Sequence, residues 1–167
     1  MKNKYIVDLE SAYLCPDNNQ LEIPVRKYRV DRLNRTHRAL SVDFSLARPL
    51  DNTVEAVVLM EKESDGGWIN LPVFPYQRDP CRKVMDSSLD QAKLLFIKFA
   101  RALGAQHPEK CDIPAGKYSV DRYPLDLTST VPFWTGRFRS TLVVRNVKDK
   151  KKILCLGSLV NFKELSD

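Results

Sequence analysis

The chain has 167 residues, of which 43% are hydrophobic and 29% charged, and carries a net charge of +6 at neutral pH. This composition suits one globular domain, residues 1–167, large enough to bury a core. No apolar run approaches the roughly 20 residues that a membrane helix needs. Basic residues alternate with acidic ones except at residues 26–38 and 148–152, which argues against a dedicated nucleic-acid face and for Lys and Arg as solubilising strand and hairpin residues.

In chain order, strand patterning comes first and dominates. Residues 5–14 and 22–30 are enriched in alternating or β-branched positions, and Leu40, Val42, Phe44 and Leu46 alternate with Ser41, Asp43 and Ser45. That period of two belongs to a half-buried strand and makes no helical stripe. Turn formers at 49–52 and 64–67 bracket a further strand at 53–60. Residues 88–103 break the rhythm, because Ala92, Leu95, Phe96, Phe99 and Leu103 recur at steps of three and four. The spacing predicts an amphipathic helix, with Ser88 and Gln91 as a capping box and Gly104 as its stop. Leu94 and Ile97 lie off that stripe, so the helix is apolar around more of its circumference than a surface helix requires. Either deeper burial or the lining of a cavity accounts for the surplus. Strands at 117–123, 137–147 and 153–162 follow, the last two joined by a charged tip at 148–150. Seven or so strands with short connections imply an antiparallel sandwich with one inserted helix.

Four cysteines fall as two nested pairs, Cys15 with Cys155 and Cys81 with Cys111, and no Cys-x-x-Cys is present. The first ends the opening strand and the last lies in the closing one, so bridging follows if those strands are neighbours. Asn34-Arg35-Thr36 is a glycosylation triplet in the polar run 31–38, where a hairpin tip is expected to expose Asn34. Together these features predict structural disulfides and a secreted protein. Met1 is then either an addition after removal of a leader or the native start of an intracellular chain. Catalytic motifs are lacking: there is no Gly-x-Ser-x-Gly elbow, no phosphate-cradling glycine loop and no His-Glu-x-x-His. His37 and His107 sit in polar loops, His107 with Cys111 makes at most half a zinc site, and the pairs Glu61/Glu63 and Asp121/Asp126 read as surface. Neither enzymatic activity nor a cofactor or metal is expected.

The ordered set Leu71-Pro72-Val73-Phe74, Asp79-Pro80-Cys81, Cys111-Asp112-Ile113-Pro114-Ala115-Gly116-Lys117-Tyr118, Val131-Pro132 and Gly136-Arg137-Phe138-Arg139 resembles insect CheB-type secreted proteins. These are similar to the vertebrate ganglioside-activator protein, of the ML lipid-recognition superfamily. The resemblance covers roughly residues 5–160. It implies an immunoglobulin-like β-sandwich whose sheets splay to admit a lipid or other apolar small molecule, a link to chemosensory tissue in insects, and a receptor or other protein partner. Candidate ligand-binding residues are Trp68, Phe74, Phe96, Ile97, Phe99, Leu103, Phe133 and Trp134, with Tyr76 nearby. Core packing is the ordinary role of such residues, but Phe133 and Trp134 are adjacent in a turn-like stretch and cannot both enter one sheet face. The helix and the 133–134 loop are therefore expected to frame the mouth of a cavity between the sheets. The alternative from a different class is an intracellular module that binds protein or nucleic acid through a sheet edge or basic face.

Overall fold

Period-two alternation becomes strand along most of the chain in the computed structural model, which describes residues 4–71, 75–88, 90–126, 128–129 and 135–165. The strands are β1 (Lys4–Leu14), β2 (Lys27–Arg32), β3 (His37–Leu46), β4 (Val54–Ser64), β5 (Gly67–Asn70), β6 (Gln77–Arg78), β7 (Gly116–Asp126), β8 (Thr128–Ser129), β9 (Gly136–Asn146) and β10 (Lys152–Leu165). Two helices, α1 (Pro80–Met85) and α2 (Asp90–Leu103), lie between β6 and β7. A seven-stranded sheet runs β5-β4-β9-β10-β1-β8, with β6 also on β4, and a three-stranded sheet runs β2-β3-β7. Every pairing is antiparallel. The fold is an all-β sandwich with inserted helix, as the patterning predicts.

Several boundaries differ from the sequence expectation, each for a local reason. The expected strand at 22–30 begins only at Lys27. Asn18 takes both backbone groups of Val25, donating Nδ2 to its carbonyl at 2.9 Å and accepting its N–H at 3.0 Å, so they are spent before any ladder forms. Pro24 has no N–H to offer. The helix expected over 88–103 starts at Asp90, whose carboxylate suits the first turn. β5, β6 and β8 hold four, two and two residues, too few to display a period. In α1, by contrast, Asp79 caps the N-terminus by accepting the Arg82 N–H at 3.3 Å, and Pro80 occupies the first turn.

The main core lies where the end of α2 meets both sheets. Leu46 and Tyr118 of the small sheet, Val54 and Ile153 of the large one, and Ala100 and Ala105 of the helix end pack together, with Phe44, Leu103, Val144 and Leu154 around them. A second cluster, Cys15, Val57, Val143 and Cys155 beneath Leu21 and Tyr76, occupies the opposite face of the large sheet, since Val54 and Val57 are three residues apart on one strand. Both disulfides join as the nesting predicts, with Cα–Cα separations of 5.6 Å for Cys15–Cys155 and 5.4 Å for Cys81–Cys111. Beside the first bridge, Tyr13 is paired with Gly157, and a Cβ on that glycine would stand 2.1 Å from the Tyr13 ring. The ring occupies the space that glycine leaves open.

Candidate functional site

Alternation along β4 places Val54, Ala56, Val58, Met60 and Lys62 on one face. Val54 belongs to one buried cluster with Leu46 and Tyr118 of the small sheet, so the Val54 end of that face lies toward the small sheet. Cross-strand register extends each position into a row. Ala56 leads to Val144 and Leu154; Val58 leads to Leu142, Leu156 and Leu14; Met60 leads to Ser140, Ser158 and Ala12. The first row is closed by the helix end. In the second, Val58 is 49% exposed and its three leucine neighbours are half-buried. This face of the large sheet is thus an apolar surface, buried at the Val54 end and progressively more exposed along β4 toward Val58.

Helix α2 continues the apolar character of that surface. Ala100 is buried, and Phe96 four residues before it, Leu103 three after it and the adjacent Phe99 are half-buried. Phe99 meets Tyr123 of β7 edge to face at 5.4 Å. Leu95, expected in the buried stripe, is instead 52% exposed, as is Leu94. The packed line is therefore 96–99–100–103, and the surplus apolar face expected from Leu94 and Ile97 divides into an exposed Leu94 and a half-buried Ile97.

Trp68 does not join these residues. It lies opposite Glu63 in the β4–β5 register, on the other face of the sheet, where the Arg139 guanidinium stacks over its ring at 4.7 Å. Tyr76 lies on that same outer face under Arg145, at 3.3 Å. Phe74, Phe133 and Trp134, and with them the expected loop at the cavity mouth, lie outside the described residues.

The outer face is a ladder of ion pairs. Arg139 binds both carboxylate oxygens of Glu61 at 3.0 and 2.7 Å, Arg145 binds Glu55 at 2.6 Å, and Arg137 reaches both Glu10 and Glu63. Hydrogen bonding from Arg139 holds the Glu61 carboxyl below its ordinary pKa, and Lys150 together with Arg145 does the same for Glu55. These acids are structural partners of arginines. The expected surface pair Glu61 and Glu63 is accounted for in this way.

One ion pair is buried. Arg38 of β3 donates Nε to Asp8 of β1 at 2.9 Å, also donates Nη2 to the same oxygen, and uses Nη1 on the Asn34 and His37 carbonyls at 2.8 and 3.1 Å. Lys163 of β10 reaches the second Asp8 oxygen at 3.1 Å. Burial raises the Asp8 pKa, but the hydrogen bonds from Lys163 and Arg38 outweigh it and hold the carboxyl below its ordinary value. The Arg38–Asp8 pair thereby ties the two sheets together, and Lys163 adds a second cation to the same carboxylate.

His107 lies in a loop as expected, whereas His37 is the first residue of β3, paired with Asp126 of β7. His37 Nδ1 meets Thr36 Oγ1 at 2.9 Å, and His107 Nδ1 lies 3.5 Å from Glu109. Beside His107, a cavity of about 430 Å³ is lined by Gln106, Lys110, Asp112 and Lys117 with Tyr118. Its lining is mixed and polar, unlike the Val58 surface. Among the described residues, no group of three or more His, Cys, Asp or Glu is placed to hold a metal ion. Sequence alternation alone does not single out the row Val58, Leu142 and Leu156, because it gives two faces per strand without saying which faces the second sheet. No family model matches this chain, and no curated protein matches it.

Proposed function

We propose that this protein is a secreted, non-enzymatic carrier that holds a lipid or other apolar ligand between the sheets of an immunoglobulin-like, ML-type sandwich. One observation carries the reading: the face of the large sheet that carries Val54 and Val58 stays apolar past the point where the helix and small sheet cover it, leaving Val58 half-exposed beside Leu142 and Leu156. Each methylene drawn from water onto such a face contributes about 0.8 kcal/mol, so a modest alkyl chain suffices before ordering costs. Two disulfides are compatible with an oxidising compartment, and no described helix is long and apolar enough to cross a membrane.

The test is Val58→Asp. A charge placed on the open part of the apolar surface is expected to weaken binding of the neutral probe N-phenyl-1-naphthylamine at least tenfold. The position is half-exposed, so the fold is expected to lose no more than about 1 kcal/mol by denaturant titration. Unchanged probe affinity in the variant, or no probe binding by the wild type, would overturn the carrier reading.

Export has its own test at the β2–β3 hairpin. Asn34 is exposed at the tip, its Oδ1 accepting the Thr36 and His37 N–H groups, each at 2.9 Å. Expressed through a secretory route, the wild type is expected to carry a glycan there and to migrate more slowly on a denaturing gel than Asn34→Gln. Equal mobility would show the triplet unused.

A further inference from the structure

The polar cavity beside His107, at about 430 Å³, is of a size that holds a small molecule, and it shares no lining residue with the Val58 surface. Its walls are Gly104 just past α2, the turn around residues 106–112 and the first residues of β7. Those walls are pinned from several sides. Cys111 is bridged to Cys81 of α1, and Arg82 of the same helix donates Nη2 to the Lys110 carbonyl at 3.1 Å. Ile113 exchanges two backbone hydrogen bonds with Leu50, each at 2.9 Å, and the Tyr118 hydroxyl donates to the Pro114 carbonyl at 2.5 Å. A ligand entering here meets a wall that is already ordered, so arranging the site costs little on binding.

The charged residues of the lining differ in what already holds them. His107 has Glu109 beside it, and Arg101 stands 3.7 Å from the other oxygen of that acid. Lys117 precedes Tyr118 on β7 and so projects from the opposite face of the small sheet, where its charge acts on Asp43. The cavity meets the Lys117 main chain, whose carbonyl is 3.9 Å from where a Gly104 side chain would begin. Lys110 and Asp112 remain. Among the described residues neither has an ion-pair partner, and they do not pair with each other. An ammonium and a carboxylate therefore stand unmatched on one wall, with Pro114, Ala115 and Tyr118 supplying apolar surface beside them.

We propose that this cavity binds a free aliphatic α-amino acid as the zwitterion, with Lys110 taking its carboxylate, Asp112 its ammonium, and the side chain lying against Pro114, Ala115 and Tyr118. Each of the two contacts is a charge-assisted hydrogen bond. An acid without the amino group answers Lys110 and sets a second negative charge near Asp112. An amine without the carboxylate answers Asp112 and sets a second positive charge near Lys110. Only a ligand carrying both charges matches the wall, and the like-charge juxtaposition discriminates against each single-charge analogue. This assignment stands apart from the carrier reading, since it uses none of the same residues.

The experiment is equilibrium dialysis at neutral pH with L-leucine, 4-methylpentanoate and 3-methylbutan-1-amine, in the wild type, Lys110→Met and Asp112→Asn. The two analogues keep the leucine side chain and lack the ammonium and the carboxylate respectively. Leucine is expected to bind the wild type about tenfold more tightly than either analogue. Lys110→Met is expected to weaken leucine about tenfold without weakening the amine, and Asp112→Asn to weaken leucine by a similar factor without weakening the acid. Both positions are exposed, so the urea midpoints of the variants are expected to match the wild type. No binding of leucine, an analogue that binds as tightly as leucine, or a leucine affinity unchanged in either variant would overturn the assignment.

Discussion

Replacing Cys15 and Cys155 together with alanine is expected to lower stability by about 5 kcal/mol, because the bridge closes a separation of 140 positions and the chain-entropy cost rises with loop length. The Cys81/Cys111 pair, separated by 30, is expected to cost about 3.6 kcal/mol on the same basis. Alanine is the cleaner substitution, since a serine at buried Cys155 would add an unpaired hydroxyl. Urea titrations of both double variants and the wild type check the order. If the outer-bridge variant is no less stable than the inner-bridge variant, loop closure does not govern the contribution. Either loss is a large share of the 5–15 kcal/mol that an ordinary domain has in total.

The second large effect is expected from Asp8→Asn. The Asp8 and Arg38 side chains are only 9% and 4% exposed, and neutralising the acid leaves the guanidinium buried without its counter-charge. Breaking one side of such a pair costs about 3–5 kcal/mol. Lys163→Met is the contrast. Lys163 is 43% exposed and can return to water, so its loss is expected to cost below about 1 kcal/mol. The pH dependence follows from the same pair: the folded-state Asp8 carboxyl titrates below its unfolded value, so its contribution is fully present above the unfolded pKa. That contribution is lost as pH falls through the folded pKa, and the acid sensitivity of Asp8→Asn should be correspondingly smaller. Acid titrations with matched slopes for wild type and Asp8→Asn would show that the pair is not the titrating element.

The sandwich was legible because its long strands are half-buried. Leu40, Val42, Phe44 and Leu46 announce β3, and an amphipathic stripe announces α2, with Leu95 displaced from it. What patterning conveys less well is anything decided by a second element. Asn18 ends one strand reading by taking the Val25 backbone, which no local propensity encodes. Size and aromaticity group Trp68 with Phe96 and Phe99, yet register places it on the face of the large sheet opposite to Val58, against Arg139. The apolar surface itself required knowing that Val58, Leu142 and Leu156 stand in one row. That is a property of strand order and pairing, and the 140 positions between Cys15 and Cys155 show how far apart in sequence adjacent strands lie.

Strand order also governs when the protein can begin to exist as a fold. β10 sits between β9 and β1, so the centre of the large sheet is vacant until the last strand arrives. Synthesis at about 5–20 residues per second puts roughly 7–28 seconds between Cys15 and Cys155. Throughout that interval β1 waits with an unpaired edge and a free thiol, and both Cys81 and Cys111 are made before its proper partner. Contacts this distant in sequence form slowly, and an open edge invites pairing with another chain. The vulnerable species is thus the nascent chain, in which Cys15 can be oxidised against the wrong sulfur and must be released before β10 can take its place.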